Sequence, residues 1–183
     1  MKVEPLAIPD IKLLTPKVFR DERGHFVETW NARTLAGIGI AETFVQDNYA
    51  LSKFAGTVRG LHYQRAPHAQ GKLVRVTRGS VLDVAVDLRR ASPTYGRHVA
   101  VTLTAAGDEQ LWVPVGFAHG YCTLEPDSAV AYKVTDFYAP AADAGILWND
   151  PALGIAWPAD PASVKLSDKD RALPRLAEIT PPF

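Results

Sequence analysis

Val81-Leu82-Asp83-Val84-Ala85-Val86-Asp87-Leu88 alternates residue by residue, with Leu82, Val84, Val86 and Leu88 on one face and Val81, Asp83, Ala85 and Asp87 on the other. That is the period of a β-strand, not of a helix. Around it lie further β-branched or apolar runs: Lys72 to Thr77, Val99 to Leu103, Leu111 to Pro114 and Ala129 to Thr135. Turn signals separate them, at Arg78-Gly79-Ser80, Ser92-Pro93-Thr94-Tyr95-Gly96, Ala105 to Asp108 and Glu125-Pro126-Asp127. Short strands with no amphipathic helix between them predict a β-sandwich or barrel rather than a parallel α/β sheet. Helix signals are confined to a short stretch after Asn31 and a turn or two after Ser167. With no internal repeat, linker or low-complexity tract, the expectation is one all-β domain over residues 1–183.

Composition narrows the function classes. Lys+Arg and Asp+Glu are equal at 20 each, so no global basic field exists to hold a nucleic-acid backbone. The single cysteine, Cys122, excludes an internal disulfide and a multi-cysteine zinc site and points to a reducing compartment. No signal-peptide pattern and no long apolar run occurs, so the expected location is the cytoplasm, with no membrane partner. Charge is nonetheless unevenly spread. Between Arg59 and Arg97 eight bases face only Asp83 and Asp87, whereas from His98 onward eleven acids oppose five bases. The middle third therefore holds enough cations to grip one small anionic ligand, although solvated strand faces would produce the same pattern.

Five histidines are present. His62, in Arg59-Gly60-Leu61-His62-Tyr63-Gln64, falls at the start of an expected strand, where period two puts Gly60, His62 and Gln64 on one face. His119, in Pro114-Val115-Gly116-Phe117-Ala118-His119-Gly120, follows a tight turn in a pattern familiar from cupin barrels, where such a histidine often ligates a metal. A mononuclear metal site usually pairs His-x-His with a nearby carboxylate. Here Gln64 takes the second histidine's place, and the next charged residues are Arg65 and Lys72, so a metal-free barrel is favoured. Without a metal, a neutral histidine is a competent general base, a facing tyrosine the acid, and a lysine the partner of a developing enolate. His62, Tyr132 and Lys72 would form that set if the barrel brought them together. By spacing alone Tyr132 reads as a core tyrosine with a hydrogen-bonded hydroxyl, Lys72 as a surface residue, and His25, His68 and His98 as surface or turn residues.

Taken together, Phe19-Arg20-Asp21-Glu22-Arg23-Gly24-His25-Phe26-Val27-Glu28, Gln46-Asp47-Asn48, Val58 to Gln64, Gln70 to Arg75, Ser92 to Gly96, Gln110 to Gly120, Tyr132-Lys133, Trp148 to Pro151 and Leu166 to Asp170 give a specific order and spacing. On these residues the chain resembles the dTDP-4-dehydrorhamnose 3,5-epimerase family of metal-free, cupin-like enzymes. The resemblance implies a jelly-roll, strand-exchanging homodimer without a cofactor, acting on a thymidine-diphosphate 4-keto-6-deoxyhexose. It makes His62 the base, Tyr132 the acid, Asp170 the partner of His62 and Lys72 the stabiliser of the enolate oxygen, with His119 near the sugar. It assigns Arg23 and Arg59 to the diphosphate, Glu28, Gln46, Asp47 and Asn48 to the nucleotide end, and Tyr138 to the thymine ring. Lys169 and Asp143 also fall at ligand-binding positions, Asp143 where the family usually carries a longer glutamate. Asp170 has a second reading, since Ser167-x-x-Asp170 is a capping-box spacing. The implied reaction is double epimerisation. A single-site 3- or 5-epimerase would share the catalytic residues, and a 3,4-ketoisomerase would also move a proton with a His base while shifting the carbonyl, whereas a silent binding barrel would lack the base or acid, and a metal-dependent oxygenase would need the missing His-x-His.

Overall fold

The structure, a computed structural model, describes residues 1–183. Its strands are β1 (Lys2–Pro5), β2 (Lys12–Thr15), β3 (Val18–Asp21), β4 (Gly24–Val27), β5 (Gln46–Ser52), β6 (Val58–Gln64), β7 (Lys72–Arg78), β8 (Ser80–Asp87), β9 (His98–Thr104), β10 (Gln110–Val113), β11 (Phe117–Thr123), β12 (Ser128–Val134) and β13 (Asp143–Gly145). Only two short α-helices occur, α1 (Ala32–Ala36) and α2 (Asp168–Arg171). One antiparallel sheet runs β1-β2-β10-β7-β12-β5, a second runs β13-β6-β11-β8-β9, and β3 and β4 form a separate hairpin. No helix is long and apolar enough to cross a membrane.

The two larger sheets face each other. Val74, Val76, Leu111, Val113 and Val130 from the first meet Val81, Ala85, Val99, Leu103 and Phe117 from the second in one buried cluster. The expected all-β sandwich is therefore present, and every anticipated strand run is a strand. His62 lies well inside β6 rather than at its start, because β6 is already paired with β11 from Val58.

Both faces of β8 are covered. Val81 and Ala85 look into the sandwich, while Val84, Val86 and Leu88 pack outward with Leu61, Ile146 and Leu153 under the C-terminal residues Trp157, Leu176 and Phe183. Asp83 and Asp87 share the inward face, and both are fully buried. Asp87 survives there because it is saturated. Its Oδ1 accepts from the Arg89 backbone N–H at 2.9 Å and Nε at 3.0 Å, and its Oδ2 from Arg89 Nη2 at 2.8 Å and from the Ser92 and Thr94 hydroxyls at 2.6 Å each.

Both helices are capped by side chains. The Asn31 side chain accepts from the Arg33 and Thr34 N–H groups at the start of α1, and the helix sets Leu35 against Leu14, Leu73 and Trp112. The Ser167 hydroxyl accepts from the Asp170 N–H at 3.1 Å at the start of α2. A glycine pair controls the approach of β6 to β11. A Cβ on Gly60 would lie 2.7 Å from the Gly120 Cα, and one on Gly120 would lie 2.6 Å from the Arg59 carbonyl oxygen.

Asp87→Asn should destabilise the fold by about 2–4 kcal/mol in urea unfolding at neutral pH, because it removes the charge and one acceptor from a fully buried carboxylate on which Arg89, Ser92 and Thr94 all converge, although Asp10 still pairs with Arg89. Burial pushes the Asp87 carboxyl up, but the bonds from Arg89, Ser92 and Thr94 outweigh it and hold the carboxyl at about 2, below its ordinary 3.8. The stabilisation, about 2 kcal/mol, is complete above the unfolded value and is lost as the pH falls from near 4 through about 2. The Asp87→Asn variant should lose less stability than the wild type over that acid interval.

Candidate active site

At one end of the sandwich the interior opens into a cavity of about 600 Å³ whose wall includes Arg59, His62, Lys72, His119, Tyr132 and Asp170. A second cleft, of about 340 Å³, shares His62, Lys72, Tyr132 and Lys169 with it and adds Gln46, Asn48, Tyr138 and Asp143. The Gly60–Gly120 contact brings β6 and β11 together here, with His62 and His119 directly opposite in register.

His62 Nε2 lies 2.5 Å from Asp170 Oδ1. Asp170 is buried on α2. Burial raises its carboxyl, yet the hydrogen bond and charge of His62, with lesser bonds from the Gly60 N–H and from Ser167, bring it below its ordinary range. An ionised carboxylate only accepts hydrogen bonds, so Nε2 carries the ring proton and Nδ1 is left as the basic nitrogen. The two readings of Asp170 are compatible: its backbone N–H is capped by Ser167 while its side chain turns to His62. Asp168, earlier on the same helix, is exposed.

Lys72 is buried at 8% exposure, not on the surface as spacing suggested. It begins β7 between Val113 and Val134, and its Nζ donates to the His62 carbonyl at 3.2 Å. Burial lowers its ammonium to about 8, with Asp83 and Asp143 pulling it back up and Lys169 pushing it down further. Tyr132 stands on β12 beside Val130, packed against the inter-sheet core. Burial raises its phenol, so it stays protonated at neutral pH, and Arg59 partly opposes that rise. The Tyr132 hydroxyl makes no hydrogen bond within the chain, unlike the core tyrosine that spacing described.

Arg59 is held by its Nε on the Ser52 hydroxyl at 3.1 Å and its Nη2 on the Leu51 carbonyl at 3.2 Å. Gln46 donates to Asn48 at 2.8 Å and accepts from the Tyr138 N–H at 3.0 Å. The Tyr138 hydroxyl donates to Asp143 Oδ2 at 3.0 Å, and Lys169 grips the same oxygen. Gln64 ties down the neighbouring loop, donating to the His68 and Phe137 carbonyls and accepting from the Ala139 N–H.

A family profile described as dTDP-4-dehydrorhamnose 3,5-epimerase matches residues 5–178. The dTDP-4-dehydrorhamnose 3,5-epimerase of Salmonella typhimurium is 51% identical over 177 residues, covering 96% of each chain. The chain belongs to the dTDP-4-dehydrorhamnose 3,5-epimerase family. Its fold matches the Bacillus anthracis family member solved with TDP and PPi bound, with a TM-score of 0.93 and 49% identity over 96% of this chain and 99% of that one. It matches equally well the Legionella pneumophila epimerase in complex with dTDP-4-keto-L-rhamnose, with a TM-score of 0.93 and 43% identity over 98% of this chain and 94% of that one.

Of the residues that the family resemblance singled out, His62, Tyr132, Asp170, Lys72, Arg59, His119, Gln46, Asn48, Tyr138, Asp143 and Lys169 line the two joined clefts. Three do not. Arg23 sits on the β3–β4 hairpin, bonded to Asp21 in a separate surface cleft. Glu28 is exposed and accepts from Asn31. Asp47 points away from its neighbours Gln46 and Asn48 and pairs with Lys133 at 3.1 Å, as alternation along β5 requires. Sequence reasoning missed Asp83, whose Oδ1 accepts from His119 Nε2 at 2.8 Å. No signal in the sequence marked it, since alternation along β8 sets Asp83 and Asp87 on one face without showing that this face is buried.

The buried Lys72 ammonium, lowered to about 8, opposes folding in full below about 8, and that opposition fades as the pH rises toward the ordinary 10.5, so the stability of the wild type relative to a Lys72→Met variant should rise by about 1–3 kcal/mol between pH 7 and pH 10. Urea unfolding of both proteins at pH 7 and pH 10 measures this. An unchanged difference between the two pH values would count against a buried ammonium at Lys72.

Proposed function

We propose that residues 1–183 form a single epimerase domain that converts dTDP-4-dehydro-6-deoxy-α-D-glucose to dTDP-4-dehydro-β-L-rhamnose, an isomerisation in dTDP-L-rhamnose synthesis. One observation carries the chemistry: His62 and Tyr132 line the same cavity from opposite sheets. Inverting a carbon requires a proton to leave one face of the sugar and return to the other. A base on β6 and an acid on β12 address opposite faces of a ring held between them.

The ketone at carbon 4 acidifies the hydrogens on carbons 3 and 5. His62 Nδ1 takes one of these, and Asp170 stabilises the imidazolium formed. Charge moves onto the carbonyl oxygen as the enolate forms, and the Lys72 ammonium, charged below about 8, stabilises it. Tyr132 returns a proton to the carbon from the other side. Arg59 binds the diphosphate by charge-assisted hydrogen bonds, and Gln46, Asn48, Tyr138, Asp143 and Lys169 hold the remainder of the sugar nucleotide.

The working unit is a homodimer. Phe19 and Phe26, 53% and 67% exposed on the β3–β4 hairpin, and Tyr49 and Leu51 on the edge strand β5 give it an apolar surface to bury. On this reading the hairpin crosses to a second copy and delivers Arg23 and Glu28 to the partner's nucleotide end.

Incubation with the 4-keto sugar nucleotide in heavy water should place deuterium at carbons 3 and 5, and coupled reduction should yield the rhamnose configuration. Deuterium at one carbon only would replace the double epimerase with a single-site enzyme. His62→Ala should lower exchange at both carbons by about 10³-fold or more while dTDP binds nearly as before. Tyr132→Phe should suppress net epimerisation more than exchange. Arg23→Ala should raise KM about 10- to 100-fold with kcat largely kept, and light scattering of the wild type should give the mass of two chains.

A further inference from the structure

Asp83 and Asp87 are both closed to solvent on the inward face of β8, yet their surroundings treat them differently. Asp87 meets a fixed guanidinium and two hydroxyls. Asp83 has one donor, His119 Nε2–H on Oδ1 at 2.8 Å, and its Oδ2 is buried with no hydrogen-bond partner. Register explains the contact: Ala85 lies opposite His119 and Asp83 opposite Tyr121, so Asp83 is the diagonal neighbour of His119 on the inward face.

A half-satisfied buried carboxylate needs a cation nearby. The buried cation on the cavity that His119 lines is Lys72, whose Nζ has a single hydrogen bond, to the His62 carbonyl. Two carboxylates act to keep that amine charged, Asp83 first and then Asp143. Asp143 is already bonded to Lys169 and to the Tyr138 hydroxyl, which leaves Asp83 as the uncommitted anion.

We propose that Asp83 is a positioning residue for the epimerisation: one oxygen holds His119 as the Nε2–H tautomer, and the carboxylate is the fixed counter-charge of the Lys72 ammonium. The proposal rests on the epimerase reading of the cavity. It gives the sugar end two histidines oriented alike, His62 by Asp170 and His119 by Asp83, with Lys72 facing both from the opposite sheet. The groups facing Lys72 are then Asp83 from β8, Asp143 from β13, Lys169 from α2, His62 from β6, His119 from β11 and Tyr132 from β12.

Asp83→Asn keeps a carbonyl acceptor for His119 and removes the charge. It should lower kcat about 10- to 100-fold, change KM by less than about threefold, and move the alkaline limb of kcat/KM to lower pH by about one unit or more. Unchanged kcat with an unmoved limb overturns the proposal, as does a loss confined to KM. Should the variant not fold, ¹⁵N NMR of the wild type decides: His119 should show the Nε2–H tautomer, and the Nδ1–H tautomer overturns the proposal. That measurement uses no substrate. Failure of the wild type to turn over the sugar nucleotide would therefore sink the functional reading separately.

Discussion

A hydrogen bond of 2.5 Å joins His62 to Asp170, 108 residues further along the chain, and the position of both partners is set by packing elsewhere. The four-residue helix that carries Asp170 is too short to be stable by itself. It is held because the segment around it is nailed to the outer face of the second sheet. Trp157 donates to the Trp148 carbonyl, Leu147 bonds to the Pro174 carbonyl, Leu176 to Asp150, and Phe183 packs edge-on against Tyr63. On the other side of the bond, His62 stands where it does because two glycines let β6 and β11 close up. The basic nitrogen of the cavity thus depends on apolar contacts far from any ligand.

Buried charge divides the sandwich into two ends with opposite logic. At the Asp87 end the carboxylate, Arg89 and two hydroxyls satisfy one another, and Arg89 lies over the Phe117 ring. That arrangement is rigid and leaves the carboxylate no unmet acceptor. At the His119 end, Asp83 Oδ2, the Tyr121 hydroxyl and two of the three Lys72 donors lack partners within the chain. Burial raises the Tyr121 phenol to about 12, so it remains a neutral donor. Unmet polar groups destabilise a fold, and on the proposed reading their gathering around one cavity is where stability has been given up for ligand chemistry.

The strands facing the core were legible where one register repeated, as in β7, β8, β9, β10 and β12. The hairpin β3–β4 carries no such signal, since both its faces are largely solvent-exposed within one chain. In β11 every residue is buried, so Phe-Ala-His-Gly-Tyr-Cys-Thr shows no alternation to read. The spacing of Lys72 looked superficial because a lone lysine at a strand start usually is. Only the facing sheet, with His62 and Asp83, turns that position inward. For Asp83 the alternation of β8 showed which residues share its face but not whether that face is buried. Both faces are covered, one by a sheet and one by the C-terminal segment, and a single strand cannot reveal the second cover. The apparent excess of cations between Arg59 and Arg97 dissolved for the same reason: Arg89 is consumed by Asp87, and only Arg59 and Lys72 of that stretch reach the main cavity.

Separating chemistry from recognition follows from how a sandwich is built. Groups that must act from opposite faces of a substrate are best placed on strands of opposite sheets, whose spacing is fixed by the core behind them. His62 and Tyr132 meet that condition, and neither needs a loop to move. On the proposed reading part of the grip on the nucleotide lies beyond the strand ends, at Tyr138, Lys169 and, in the β3–β4 turn, Arg23, while Arg59 holds the diphosphate from within β6. Changes in those segments would alter which sugar nucleotide is held without moving the base or the acid. Altering how the protons are exchanged would instead require moving one sheet relative to the other. On the proposed reading, the geometry of the reaction is therefore the most constrained property of this fold, and the identity of the ligand the most adjustable.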